Sequence, residues 1–272
     1  MDHDSDVRGE GILSALEHAG HVSVNELSAR FGVSAVTIRK DLQHLERQAL
    51  LQRVRGGARS HAPNEEGSFT DRLGRGVGAK KAIARHAASL VANGDVIALD
   101  SSTTAYFLAL EVLSRRDLVV ITNSLRSALL LTEESDATVV LLGGTVRRPS
   151  SSTVGDPLDV LAGRGRIATA FLGLTSLSPE RGLMELSIAE AESKRALAGP
   201  ARNLVGLFDS SKIEGFGLHS FATADRVTRL ITDTGFDDAE AARWRALGVI
   251  VDRCDVKAIG SSSRPAQTGD VG

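Results

Sequence analysis

The chain has 272 residues, 42% of them hydrophobic and 24% charged, with a formal net charge of −2. That length and balance predict ordinary globular material in two domains and exclude a uniformly basic nucleic-acid coat. One cysteine, Cys254, excludes an intramolecular disulfide and points to a reducing cytosol, and the seven scattered histidines lack metal-ligand spacing. The N-terminal MDHDSDVRGE is too acidic and polar for a signal peptide, and no apolar run nears the roughly 20 residues of a membrane span, so a cytoplasmic protein is expected.

A first helix is expected over residues 7–19, with Ile12, Ala15, Leu16 and Ala19 on one face. Ser23 and Glu26 then form a capping box, and Val22 and Leu27 take the staple positions that fix a helix entry angle. Phe31-Gly32-Val33 supplies a turn in which Gly32 is free to adopt positive φ. Ser34 caps the next helix, with Val33 and Ile38 as its staple. Two helices joined this tightly predict a helix-turn-helix. In the second, Ile38, Leu42, Leu45 and Ala49 must face the core, which leaves Val36, Lys40, Gln43 and Arg47 outward, flanked by Thr37 and Arg39. The N-terminal part of such a helix meets base edges in the major groove; Arg or Lys can read guanine there and Gln can read adenine. The stretch 50–58, LLQRVRGGA, alternates up to a Gly pair like the wing of a winged helix, with Arg53, Arg55 and Arg59 aimed at phosphates.

A basic helix in isolation is usually only a solvated face. Here, however, residues 27–59 carry seven basic and two acidic side chains inside a chain of net charge −2, so positive charge is concentrated where DNA would lie. Residues 1–58 are therefore expected to form a DNA-binding domain. Its contact residues would be Ser34, Val36, Thr37, Arg39, Lys40, Gln43, Arg47, Arg53 and Arg55.

Residues 59–79, rich in Gly, Ser and charge, are expected as a linker in which Phe69 and Arg72 anchor a part. Helices near 80–92, 105–113 and 125–132 alternate with strands at 96–99, 118–121 and 139–142, and further strands follow at 168–172, 204–208 and 229–231. These short apolar runs, bounded by Gly, Asp and Ser, predict an α/β domain with a mostly parallel buried sheet over residues 80–259. Residues 260–272 lack apolar content and are expected as a disordered tail.

In open parallel sheets ligands bind at the carboxyl ends of the strands. Those ends carry Asp100-Ser101-Ser102-Thr103-Thr104, then Thr122-Asn123-Ser124, then Gly143-Gly144, Gly173, and Asp209-Ser210-Ser211-Lys212. Singly, each is more ordinarily a cap or a turn, above all Ser124 and Gly143. Together they describe a pocket of hydroxyls, an amide, a carboxylate and an ammonium. Hydroxyls and free N–H groups at a helix start favour an anion. Lys212, with Lys80, would pair with a phosphate, while Asp100 and Asn123 would bond sugar hydroxyls. Only Tyr106 and Phe107 lie near as aromatic walls, so a phosphorylated sugar fits better than an adenine or flavin. No cofactor is expected.

Val33 to Leu42, VSAVTIRKDL, with Leu45-Glu46 and Arg55-Gly56-Gly57-Ala58, closely resembles the signature of the DeoR family of bacterial transcriptional regulators. The strand-end clusters resemble that family's sugar-phosphate sensor domain, similar in fold to ribose-5-phosphate isomerase. The family commonly has Arg where this chain has Lys40, and Gly where it has Ser102, which brings a hydroxyl into the anion loop. The resemblance implies a repressor of a carbohydrate catabolic operon, released from double-stranded operator DNA by a phosphorylated sugar. A homodimer or homotetramer held by the second domain is expected, because reading heads of this kind commonly meet paired half-sites. The rival is a sugar-phosphate isomerase with an appended DNA-binding domain. It needs a positioned carboxylate base, and Asp100, Glu185 and Asp209 are the carboxylates near strand ends or loops. Glu190, Glu192, Lys194 and Arg195 are expected to form an exposed helix face.

Overall fold

The computed structural model describes residues 8–9, 11–12, 15–16, 21–47, 51–59, 68–155, 167–213 and 217–256, and only the backbone of Arg47. The expected tail and Ala49 lie outside these residues. The chain divides into two units, Met1–Glu66 and Gly67–Gly272.

In the first unit, residues 8, 9, 11, 12, 15 and 16 are helical, as the apolar spacing predicts. Strand β1 (His21–Ser23) leads into α1 (Val24–Phe31), then α2 (Ala35–Arg47), β2 (Gln52–Val54) and β3 (Gly57–Arg59). The capping box forms as read: Glu26 N–H donates to Ser23 Oγ at 3.1 Å, and Ser23 N–H donates to Glu26 Oε2 at 2.9 Å. Gly32 closes α1 at φ 64°, in the left-handed region. Strands β2 and β3 pair antiparallel as the wing, and β1, which the sequence did not reveal, adds to the far edge of β3. Ile12, Leu16, Val22, Leu27, Ile38, Leu42, Leu45 and Leu51 fill one small core. Each such buried aliphatic contributes roughly 1.5–3 kcal/mol relative to leaving it exposed.

The second unit opens with α3 (Phe69–Leu73) and α4 (Val77–Ala88), so the second half of the segment expected as a linker is helical. The missed signal was a second capping box, in which Ser68 Oγ accepts the Asp71 N–H at 3.1 Å. Next come β4 (Val96–Leu99), α5 (Thr103–Glu111), β5 (Val119–Thr122), α6 (Leu125–Glu134), β6 (Thr138–Leu141), β7 (Thr145–Arg147), β8 (Ser152–Val154) and β9 (Ile167–Gly173). The remainder is β10 (Ser176–Ser178), β11 (Gly182–Glu185), α7 (Ile188–Ala198), β12 (Ala201–Leu207), β13 (His219–Ala222), β14 (Arg229–Asp233), α8 (Asp238–Ala246) and β15 (Ile250–Cys254).

Seven strands form one sheet in the order β15-β14-β12-β9-β4-β5-β6, every neighbouring pair parallel. Alternation sends side chains to opposite faces. Ile97, Leu99, Val120, Phe171, Val205 and Ile231 pack with Ile83, Ala87, Leu108 and Leu131 of α4, α5 and α6. Ala98, Ala170, Leu172, Leu204 and Leu230 pack with Leu197 of α7 and Trp244 of α8. The sheet is thus the middle of three layers. Strand order reverses between β4 and β9: from β4 the chain steps outward to β5 and β6, then returns to β9 and continues the other way. Two small antiparallel additions, the β7–β8 hairpin and a β10-β11-β13 sheet, escaped the sequence reading.

Candidate functional site

The first unit presents a basic stripe. On α2, Ile38, Leu42 and Leu45 are buried, while Val36 (59% exposed), Arg39, Lys40 and Gln43 face outward. Ser34 and Thr37 form the helix start: Thr37 N–H donates to Ser34 Oγ at 3.1 Å, and the two hydroxyls lie 2.9 Å apart. Asp41, the acidic residue in the middle of the helix, turns inward, accepting Arg8 Nε at 2.6 Å. The outward stripe is thereby cleared of its nearest carboxylate. Arg53 and Arg55 are exposed on the wing, where the Arg53 N–H donates to Glu46 Oε1 at 3.2 Å. Arg59 is half-buried, and its Nε donates to Gln52 Oε1 at 2.6 Å, so it braces the wing instead of pointing outward. The Arg47 side chain lies outside the described residues.

In the second unit Asp100, Ser102 and Gly173 meet where strand order reverses. Gly173 ends β9 so close to the loop after β4 that a Cβ there would lie 2.3 Å from Ser102 Cβ. Asp100 is fully buried; its Oδ2 accepts the Gly173 N–H at 3.0 Å and its Oδ1 accepts the Ser102 N–H at 3.2 Å. Ser102 Oγ caps α5 by accepting the Ala105 N–H at 3.1 Å. Thr103 and Thr104, both buried, are the first two residues of α5, whose amides have no intrahelical acceptors.

Beneath this loop lies a buried ion network that the sequence placed on the surface. Lys194, 3% exposed, donates to the Gly173 carbonyl at 2.8 Å, pairs with Asp100 Oδ2 at 2.8 Å and pairs with Glu185. Burial opposes its charge, but the two carboxylates outweigh burial and hold the ammonium above its ordinary range. Glu190, 1% exposed, accepts hydroxyl protons from Ser101 at 3.2 Å and from Ser150 and Ser152 at 2.6 Å each, with Arg147 Nη1 at 3.5 Å. The expected exposed face therefore holds for Glu192 and Arg195 and fails for Glu190 and Lys194. Their partners are remote in sequence, so helical periodicity cannot find them.

The β7–β8 hairpin is strapped over the ends of β5 and β6. Asn123 Nδ2 donates to the Thr153 carbonyl at 3.2 Å, Thr153 N–H donates to the Asn123 carbonyl at 2.9 Å, and Ser124 bridges Ser152. Among the described residues, no group donates a hydrogen bond to the buried Asn123 Oδ1. Ser124 caps α6, accepting the Ser127 N–H at 3.1 Å, as its bland reading requires. Gly144, at φ 134°, lies against the Val154 carbonyl, whereas Gly143 is open to solvent.

A cationic group gathers near Asp209, the residue that follows β12 by two positions. Lys80, 5% exposed, donates to the Arg72 carbonyl. Burial pushes its ammonium down to about 8; Asp209 opposes that shift, and Lys212, Arg72 and Arg75 add to it. Asp209 caps the short turn Ser210–Lys212 by accepting the Ser211 N–H at 3.2 Å, and Lys212 is half-exposed. Arg72 and Arg75 were not recognised as members of this group from sequence. Among the described residues no cluster could hold a metal ion, and no helix is long and apolar enough to cross a membrane.

A winged helix-turn-helix with a basic outward stripe, in one chain with a parallel α/β unit polar at its strand-reversal point, defines a DNA-binding regulator with a second, separate domain. The family described as DeoR-like helix-turn-helix domain matches residues 8–64, and that described as DeoR C terminal sensor domain matches residues 76–234. The chain belongs to the DeoR family of transcriptional regulators. It is 34% identical to the HTH-type transcriptional regulator GolR of Listeria innocua, over 90% of this chain and 96% of that one. It is 34% identical to the lactose phosphotransferase system repressor of Streptococcus mutans (85% and 93%) and 29% identical to the glycerol-3-phosphate regulon repressor of Escherichia coli (83% and 90%). Among solved structures, ribose 5-phosphate isomerase A from Neisseria gonorrhoeae overlaps half of this chain (50%, and 53% of its own) at a TM-score of 0.38 and 16% identity.

Proposed function

We propose that this protein is a cytoplasmic one-component repressor of a carbohydrate catabolic operon, and that a phosphorylated sugar bound by its second unit releases the first from operator DNA. The observation that carries this reading is the reversal point between β4 and β9, where an anion-type loop, Ser101 to Thr104, opens a helix. In this reading the α5 amides and the hydroxyls of Thr103 and Thr104 hold the phosphate, and Lys80 and Lys212 balance its charge. Asn123 Oδ1 accepts a sugar hydroxyl, which would satisfy its buried lone pairs. Asp100 takes a different part from the one expected: both its oxygens are engaged, so it positions the loop.

The named relatives support the sugar connection, since two are repressors of a lactose system and of a glycerol-3-phosphate regulon. The isomerase alternative is disfavoured by one feature. Asp100 and Glu185, two of the carboxylates a proton-abstracting mechanism would draw on, are both tied to Lys194. The assembly proposed is a homodimer or homotetramer through the second unit.

A thermal-shift screen of phosphorylated sugars, followed by DNA titration with each hit, tests the whole reading. Binding without turnover is expected. By linkage, a ligand that weakens DNA binding is itself bound less tightly on DNA by the same factor. Lys212→Ala or Thr103→Ala should bind operator normally yet ignore the sugar phosphate. Loss of operator binding in a folded variant of either kind would refute the assignment.

A further inference from the structure

We propose that Val36 reads a thymine methyl group in the operator, an assignment that rests on the DNA-binding reading of α2 and gives it a base. Isolated exposed apolar residues are ordinary, so exposure alone says little. Position is what distinguishes Val36. It shares one helical stripe with Arg39, Lys40 and Gln43, at spacings of three, four and seven residues, and Ile38, Leu42 and Leu45 on the other side of the helix are buried. It stands on the first turn, the part of such a helix that meets base edges.

Its neighbours leave it as an outward apolar group there. The Ser34 and Thr37 hydroxyls bond one another, and Ser34 Oγ also takes the Thr37 amide, so one hydroxyl proton of the pair stays available to DNA. Beside that hydroxyl the start of the helix offers DNA a branched hydrocarbon, stiff at χ1 and so presented at little entropic cost. In the major groove the apolar feature of a base edge is the thymine C5-methyl group. Cytosine at the same place would set its N4 amine against the isopropyl group, leaving a desolvated donor without an acceptor. Asp41, which could have drawn that amine, is turned inward onto Arg8.

The test uses the full chain. A duplex selected by the protein from a random-sequence library is resynthesised with each dT replaced singly by dU, which removes the methyl and nothing else. Affinities are measured by fluorescence anisotropy for wild type, Val36→Ala and Val36→Ser, with thermal unfolding as the control for folding. One dU position should weaken wild-type binding about fourfold, the factor that burial of one methyl represents, and the same position should leave Val36→Ser unaffected. Uniform tolerance of dU, or a dU penalty that persists in Val36→Ser, overturns the proposal. So does a Val36→Ser loss that is equal for dT and dU duplexes, which would place the side chain against the sugar-phosphate backbone. Failure to enrich any sequence overturns the DNA-binding reading as well, whereas enrichment without methyl dependence overturns this one alone.

Discussion

Replacing Lys194 by Met removes the cation and keeps most of the volume, leaving Asp100 (0% exposed) and Glu185 (4% exposed) as buried carboxylates without their shared partner. Taking one member from a buried ion pair costs about 3–5 kcal/mol. For a domain of this size that is a fall in Tm of roughly 6–20 °C. The wild-type contribution is complete at neutral pH. Folding raises the lysine pKa above its ordinary 10.5, so the stabilisation is whole below that value and is lost only as pH rises through the folded one. Trp244 is the chain's single tryptophan and is fully buried in the second unit, so its fluorescence during urea unfolding reports this unit by itself. That matters because a two-unit chain need not unfold in one step. Lys194→Met combined with Glu185→Gln should recover part of the loss, since one uncompensated charge is gone, whereas Asp100 keeps both oxygens for the Gly173 and Ser102 amides. A loss below about 1 kcal/mol in the single variant, or no recovery in the double one, would refute the view that these carboxylates depend on Lys194.

On DNA, Arg39→Ala with Lys40→Ala should abolish sequence preference in anisotropy titrations; wild-type binding by that variant would exclude α2 as the reading helix. Arg53→Ala should weaken all duplexes alike and flatten the log–log salt dependence by about one unit, the signature of a lost phosphate contact. Lys80 titrates near 8 instead of 10.5, so the second unit should gain stability as pH rises between those values, the penalty for the buried charge being complete below about 8. An anionic ligand that restores the charge should take up a proton and bind more weakly above pH 8. Calorimetry in buffers of different ionisation enthalpy checks this, and Lys80→Met should remove the effect. Glu190→Ala strips the shared acceptor from Ser101, Ser150 and Ser152, at roughly 1.5–3 kcal/mol for each charge-assisted bond. Hydrogen exchange should then quicken across residues 145–154 and stay slow in β4 and β9.

The sequence was most legible where structure is local. The Ser23–Glu26 box, the turn at Gly32 and the buried face of Ile38, Leu42 and Leu45 all follow from neighbours within one or two turns. The parallel strands were legible as apolar runs, and the strand-end clusters came with them. Legibility failed where polar groups satisfy one another across long separations. Glu190 and Lys194 stand four apart on α7, the spacing of a surface ion pair, yet Glu190 is met by residues 38–89 positions away, and Lys194 by Asp100 and Gly173. The hairpin of β7 and β8 and the strand β10, three residues each, are too short and too polar for alternation to announce them, and β11 and β13, though as long as β4, lack its unbroken aliphatic run. At α3 the signal was present in Ser68 and Asp71 and was masked by the Gly-rich composition around it.

The near-contact between Gly173 and the Ser102 side chain ties the histories of two positions that are 71 apart in the chain. While a hydroxymethyl group occupies 102, even a methyl at 173 would collide with it, and the Gly173 amide could not stay on Asp100. A relative with glycine at 102 is released from that restriction and can tolerate alanine at 173. Drift at these two sites is therefore ordered: the loop must lose its side chain before the strand can gain one. A lineage that took the steps in the opposite order would pass through a form whose β4 and β9 ends no longer meet.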